Sequence, residues 1–374
     1  MDTELPISND HEWLAGPMPR VSTARREAFA ALDTSLDAMT RAWGRGLGSA
    51  LEHHLLRFEG GGPCLRDGRG VTRERIAGAA AGTAEHPFAV TIGERMLCME
   101  RAVALGTAAP QLDAFTLAAM HRTVMGTRAG AGVLRTGPVV VGRYRPPPPE
   151  RLAPALARLM DWLSASPQPP LLAAALAHAQ LLNLHPFADG NGRVARALMR
   201  VVVRRGNESG LAPIPVWSCL AFTPTPIRAI HAAYRRDEPG PWLDSIARAA
   251  DNGLAIARRL QSITRRLRTK GRPSGRRGAV VLRELWRTPI TTAASLATAL
   301  GCDRSSAERT LAVLERSGDV RHGPDDRTWT YPAMLDLLGR WDQQLASLSR
   351  RPVRPSSPSI VRPRGTPRIA PTGQ

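Results

Sequence analysis

One lysine, Lys270, serves the whole 374-residue chain. A phosphate-binding P-loop needs Gly-Lys-Ser/Thr, and a protein kinase needs a strand lysine. Lys270 sits in "RRLRTKGRPSGRRG", which offers neither context, so both of these ATP-using architectures are excluded. Aromatic residues are also scarce, at 5% against a hydrophobic fraction of 43%. A core made mostly of Leu, Ala and Val favours packed helices over a Tyr- and Phe-rich sandwich. Cys64, Cys98, Cys219 and Cys302 stand far apart. That spacing excludes a zinc knuckle and a disulfide framework, and fits a reducing cytoplasm. The opening "MDTELPISNDHEWLAGP" has no basic start and no apolar run, so no secretory leader is expected. No stretch approaches the ~20 apolar residues of a membrane helix, so no membrane partner is expected.

What is present is length and positive charge. The chain is long enough for two or three domains. A formal net charge of +19 suggests a polyanionic partner or ligand. Because the charge is almost all Arg, in a chain rich in Ala, Gly and Pro, part of it reflects GC-rich coding.

The pattern along the chain is mainly α-helical. Residues 1–20 read as a flexible arm, and 21–107 as an N-terminal helical region with Phe29, Leu32, Leu36, Met39 and Trp43 at helical steps. "RFEGGGPCLRDGRG", residues 57–70, reads as a glycine-rich loop. Residues 108–250 form the next unit. In it "TGPVVVGRYRPPPPERL" predicts a small β-hairpin at Val139–Val141, a turn at Gly142 and a stiff elbow at Pro146–Pro149. Residues 251–277 read as a helix end and basic linker. Residues 278–348 then show helix, helix, helix and two short strands, the order of a winged helix-turn-helix. The Pro-, Ser- and Arg-rich tail at 349–374 is expected to be disordered.

His-Pro-Phe-Ala occurs twice, at His86 and at His185, and only the second copy continues as "HPFADGNGRVAR". It lies between an apolar helix and a helix with Val194, Leu198, Val201 and Val202 on one face. Gly190-Asn191-Gly192 therefore opens a helix N-terminus, where free N–H groups and the helix dipole favour an anion. Arg193 and Arg196, about one turn in, add fixed charge for further phosphates. Asp189 is a hard oxygen ligand suited to Mg²⁺. His185 is the nearby group that can take a proton near neutral pH. Base, metal ligand, anion cradle and arginines within twelve residues point to phosphoryl or nucleotidyl transfer. The first copy has none of this, and reads as a helix break with Phe88 buried.

His185, Pro186, Phe187, Asp189, Gly190, Asn191, Gly192, Arg193 and Arg196 together fill the pattern HPFx(D/E)GNGRxxR. Here the chain resembles the Fic (Fido-domain) family. "MHRTVMG", "GVLRTGPVVVG" and "AHAQLLNL" agree, and the resemblance spans about residues 108–250. It implies a helical core with a β-hairpin flap that aligns a target, and a protein adenylyltransferase using ATP and Mg²⁺. His185 would deprotonate a Ser, Thr or Tyr hydroxyl of a protein substrate. Asp189 would hold Mg²⁺. Asn191 and the Gly190 and Gly192 N–H groups would bind the α-phosphate, and Arg193 and Arg196 the outer phosphates. Phe187 would pack the loop into the core.

The chain departs from the family pattern in two places. Many relatives carry an inhibitory (S/T)xxxE(G/N) helix whose Glu meets the second motif arginine, here Arg196. In "ERIAGAAAGTAEH", residues 74–86, Gly78 and Gly82 stand at the serine and glutamate positions, and Glu59-Gly60 lacks the upstream Ser or Thr. No internal restraint is therefore expected, which makes an inhibitory partner protein a candidate. Near the adenine pocket only Tyr234 remains of a tyrosine pair, so a different nucleotide is an alternative, as are another Fic-type transfer and AMP removal.

In the C-terminal unit, Ser305 reads as the cap of a recognition helix. Arg304, Ser306, Arg309 and Thr310 would face a DNA groove, and Arg321, His322 and Arg327 would line the wing. Asp325 and Asp326 at the wing tip oppose DNA, and docking or homodimerisation are the competing roles. A DNA-binding regulator using the Fic site as a sensor is the reading from another functional class.

Overall fold

The computed structural model describes residues 18–65, 77–79, 87–207, 210, 214, 216, 227–270, 276–323 and 327–349. It is mainly helical, as the composition predicts. The expected arm up to residue 17, the wing tip at 324–326 and the tail from 350 lie outside the described residues.

Helix α1 (Thr23–Leu65) opens the fold, followed by α2 (Pro87–Ala108) and α3 (Ala114–Met125). The glycine-rich loop expected at 57–70 is corrected: α1 runs through Glu59, Gly60 and Gly61 to Leu65. Packing explains why glycine sits there. A Cβ on Gly60 would lie 2.7 Å from the Arg95 carbonyl oxygen and 3.0 Å from Met99 Cβ, both on α2. Gly60 is small so that two helices can touch, not so that the chain can turn. Phe88, expected to be buried, is half-buried in the first turn of α2, where Pro87 starts the helix.

Two helices form the centre. Helix α4 (Leu152–Ala165) leads to α5 (Pro170–Leu184), whose residues from Leu171 to Leu181 are all buried. Such a helix has no polar face because it is covered all round. Its N-terminus is closed from α1: Asp33 accepts from the Leu171 N–H at 3.1 and 3.2 Å. Helix α6 (Asn191–Gly206) packs along α5, and α1, α2 and α3 surround the pair. Behind α5, α7 (Ile227–Arg235) and α8 (Gly240–Lys270) complete the core. Trp242 is fully buried there, donates from Nε1 to the Ala175 carbonyl at 2.8 Å, and stacks on buried His178. Within the helix end and basic linker expected at 251–277, the helix runs to Lys270.

The segment 137–148 crosses the surface as a flap. Its pairing is narrower than a full hairpin: one antiparallel bridge, Val141 to Tyr144, closes on Gly142 at φ 64°. Further on come α9 (Arg276–Arg287), β1 (Ile290–Thr292), α10 (Ala293–Leu300), α11 (Arg304–Arg316), β2 (Arg321–His322), β3 (Thr328–Thr330) and α12 (Pro332–Ser349). The three strands form an antiparallel sheet in the order β1-β3-β2, with Ile290 opposite Thr330 and His322 opposite Trp329. The expected cap of α11 is corrected: Asp303, not Ser305, accepts from the Ser306 N–H. Both serine hydroxyls donate to the same carboxylate, so Asp303 already occupies the position that Ser305 would need.

Candidate active site

The join between α5 and α6 brings the motif together. Helix α5 ends at His185, whose backbone is left-handed at φ 46° and ψ 56°. A non-glycine residue pays strain there, which persists only where the surroundings hold it. Pro186 follows and cannot extend the helix. Phe187 is fully buried, and Asn191 locks the loop around it. The Asn191 side chain donates to the Phe187 carbonyl at 2.7 Å and accepts from the Phe187 N–H at 3.0 Å. These bonds use the amide oxygen and one of the two amide hydrogens, which orients the side chain within the loop.

Gly190 caps α6 at φ 79° with no side-chain hydrogen bond to the first turn. The site therefore keeps its uncapped, electropositive helix end. Glycine is required for space as well as for φ: a Cβ there would lie 2.5 Å from Met125 Sδ and 2.9 Å from His121 Nε2.

His185 is partly buried. Its Nδ1 lies 3.4 Å from the Leu182 carbonyl, which fixes Nδ1 as the donor and leaves Nε2 as the basic nitrogen. Burial pushes its pKa below the ordinary value. The Arg135 charge adds to that push, and the Leu182 contact and Asp189 oppose it. The imidazole is thereby held neutral, as a proton acceptor must be.

The Asp189 side chain is 66% exposed and pairs with Arg193 at 3.2 Å and Arg128 at 3.5 Å. Among the described residues no group of three His, Cys, Asp or Glu side chains converges. One open carboxylate beside an anion cradle suits Mg²⁺, which keeps most of its waters and shares phosphate oxygens. Arg193 is less exposed and also reaches the Val124 carbonyl.

Arg196 is buried, and its partner corrects the sequence expectation. Its Nε lies 3.5 Å from Glu59 Oε2 on α1 and donates to the Glu59 carbonyl at 3.2 Å. Burial pulls the Arg196 pKa down to about 10, against the raising influence of Glu59. The chain does carry a glutamate on the second motif arginine, with Leu55 where the family pattern has Ser or Thr. Of the segment proposed instead, residues 74–76 and 80–86 lie outside the described residues. Tyr234 is fully buried, so its ring is part of the core rather than the wall of an open pocket.

Sequence reasoning missed two supports. His121, which forms no metal constellation, stacks on Phe187 with ring centroids 3.7 Å apart. Its Nδ1 accepts from the Gly132 N–H at 2.9 Å, so Nε2 carries the proton that reaches the Asp189 carbonyl at 2.8 Å. The other support is Arg135, taken up below. Tyr144 packs against the scaffold: its hydroxyl donates to the Asn183 carbonyl at 2.7 Å and Arg235 lies over its ring at 4.1 Å.

A His185 imidazole with a lowered pKa, a helix start without a side-chain cap and the nearby arginines are chemically suited to an anion beside a proton acceptor. Residues 111–203 match the model of the Fic/DOC family, so the chain contains a Fic domain. It is 42% identical over 100 residues to protein adenylyltransferase fic-1 of Caenorhabditis briggsae, covering 25% of this chain and 19% of that protein. It is 30% identical over 196 residues to protein adenylyltransferase Fic of Drosophila willistoni, covering 51% of this chain and 38% of that protein. The chain thus spans well under half the length of these relatives. Among solved structures, a Fic family protein from Desulfovibrio desulfuricans shares the fold at a TM-score of 0.53 and 18% identity, over 84% of this chain and 98% of that one. Fic-1 of C. elegans shares it at 0.52 and 20%, over 64% and 74%. No described helix is long and apolar enough to cross a membrane.

Proposed function

We propose that this chain is a protein adenylyltransferase that moves AMP from ATP to a hydroxyl side chain of another protein. The observation that carries the reading is the left-handed His185 presenting a neutral imidazole beside the uncapped start of α6. The target oxygen attacks the α-phosphorus while Nε2 of His185 takes its proton, and pyrophosphate leaves. The backbone N–H groups of Asn191 and Gly192 receive the charge on the α-phosphate, joined by that of Gly190 once it leaves Asp189 Oδ1, to which it donates at 2.6 Å. Arg193 and Arg196 bind the outer phosphates. Asp189 would hold Mg²⁺, which supplies further positive charge against the phosphate oxygens.

Glu59 occupies one of those arginines in the resting chain, so restraint is internal and needs no inhibitory partner. Two experiments test the reading. With Mg²⁺ and α-³²P-ATP in lysate, label should appear on protein and vanish in His185→Ala; equal label in both would refute it. Glu59→Gly should raise labelling on the order of tenfold, and an unchanged signal would remove the restraint.

We also infer a winged helix at 278–348, supported by the helix-strand-helix-helix-hairpin order and the β1-β3-β2 sheet. DNA binding is the weaker of its two roles. On α11, Arg304 pairs with Glu308, Arg309 donates to the Ser305 and Ser306 hydroxyls, and Thr310 donates to the Ser306 carbonyl. Asp303, kept ionised by the Ser305 and Ser306 hydroxyls, puts a negative charge at the helix start. A protein contact, including a second copy of the chain, fits this surface better. Retention of duplex DNA by His185→Ala at physiological salt would reverse that order.

A further inference from the structure

We propose that Arg135 is a positioning residue that yokes the base to the flap, so that the two are set by one side chain. The proposal rests on the adenylyltransferase reading for its kinetic test, and on geometry alone for its structural one.

Arg135 lies just before the flap and is only 6% exposed. Its guanidinium donates to three backbone carbonyls and, among the described residues, to no carboxylate. Nε reaches the His185 carbonyl at 2.8 Å, and one terminal nitrogen reaches Gly137 at 2.9 Å. The other terminal nitrogen reaches Pro147. Its own N–H donates to the Pro186 carbonyl at 2.9 Å. One residue thereby holds the peptide unit of the base and both ends of the flap.

Each contact answers a local need. The His185 carbonyl ends α5, and a helix end leaves its carbonyls without internal donors. The flap has a single bridge of its own between Gly137 and Pro147, so its ends must be fixed from outside. A buried guanidinium facing only carbonyls is a costly way to fill space, and an apolar residue would do that better. Burial depresses the Arg135 pKa, in keeping with that cost. What the guanidinium supplies is a rigid planar fork of donors that a lysine ammonium, a point charge on a flexible stem, cannot reproduce.

The second tie has the same sense. Tyr144, at the far end of the flap bridge, donates to Asn183, two residues before His185. Flap and base are therefore joined at both ends of the same short path. Val140 and Val141 are 63% and 44% exposed, so these side chains face outward while the roots of the flap are pinned.

The test uses the full chain carrying Glu59→Gly, with Arg135 intact, as Arg135→Lys, and as Arg135→Gln. Three quantities are read: ATP affinity by calorimetry, the rate at which ATP and water give AMP and pyrophosphate, and trypsin cleavage after Arg143 in the flap, since Pro146 protects the bond after Arg145. Both variants should bind ATP within about twofold of the parent. Turnover should fall about 100-fold at unchanged KM, the scale of an ångström-sized misplacement. Flap cleavage should quicken in the same variants while the melting temperature stays close to the parent. Turnover and cleavage both at parental values would overturn the yoke. Loss of ATP binding in step with melting would also overturn it, leaving Arg135 a structural residue. A parent that makes no AMP would count against the adenylyltransferase reading instead. Flap cleavage would then decide the yoke by itself.

Discussion

At the residue scale, His185 joins two unusual properties, a left-handed backbone and a pKa pushed below 6.5 by burial. The sign fixes the pH response. A depressed value keeps the imidazole neutral further into acid, so turnover should hold below the ordinary histidine range and fall only beneath it. A profile of kcat against pH whose acid limb lies above 6.5 would contradict this. His185 and its loop were legible because all their partners are contiguous in "HPFADGNGRVAR". His121 and Arg135 were not. Each reaches the loop from another element, as a single residue with no local pattern to announce it.

At the element scale, α1 and α6 are joined by a ladder of charges. Glu59 faces Arg196 at 3.5 Å and Arg200 at 3.7 Å, and Glu52, one heptad earlier on α1, meets Arg204 at 2.8 Å. Glu52 and Glu59 are almost fully buried. Removing one member of such a pair strands the other, at about 3–5 kcal/mol. Glu52→Gln should therefore lower stability by roughly that amount in chemical denaturation, and weaken the grip of α1 on Arg196 without touching the motif. A midpoint unchanged from the parent would show that the ladder carries no weight. The ladder was invisible in sequence because "FEGGGP" looks like a loop. Glycine has two uses, turning and close approach, and composition does not separate them. Strand β1 was missed for a related reason: three residues are too few to show alternation. The helical core itself was legible, since a long, nearly all-apolar run such as 171–184, too long for a strand, leaves little choice.

At the scale of the whole molecule, buried histidines tie stability to pH. His178 is held well below 6.5 and His231 at about 4, both chiefly by burial. Unfolded, each would titrate near 6.5. The folded chain thus resists protons that the unfolded chain accepts. Stability is fully present above about 6.5 and is lost as pH falls through the window down to about 4. Melting temperature should drop between pH 7 and pH 5, and His231→Leu should flatten that drop. An equal slope in the variant would clear His231 of the effect.

Helix α1 reaches further than the site. His54, on the same helix as Glu59, lies 2.6 Å from the Trp286 carbonyl on α9, and Asp33 closes the end of α5. The stretch that carries the family likeness, 111–203, contains none of this helix. Kinship and autonomy therefore have different borders in this chain. A chain trimmed to residues 108–250 would keep every letter of the motif and lose Asp33, Glu52 and Glu59 together. Arg196, Arg200 and Arg204 would face water, and α5 would start without its cap. Such a piece should express as a poorly folded protein, and any rate measured on it would describe the trimming rather than the full chain.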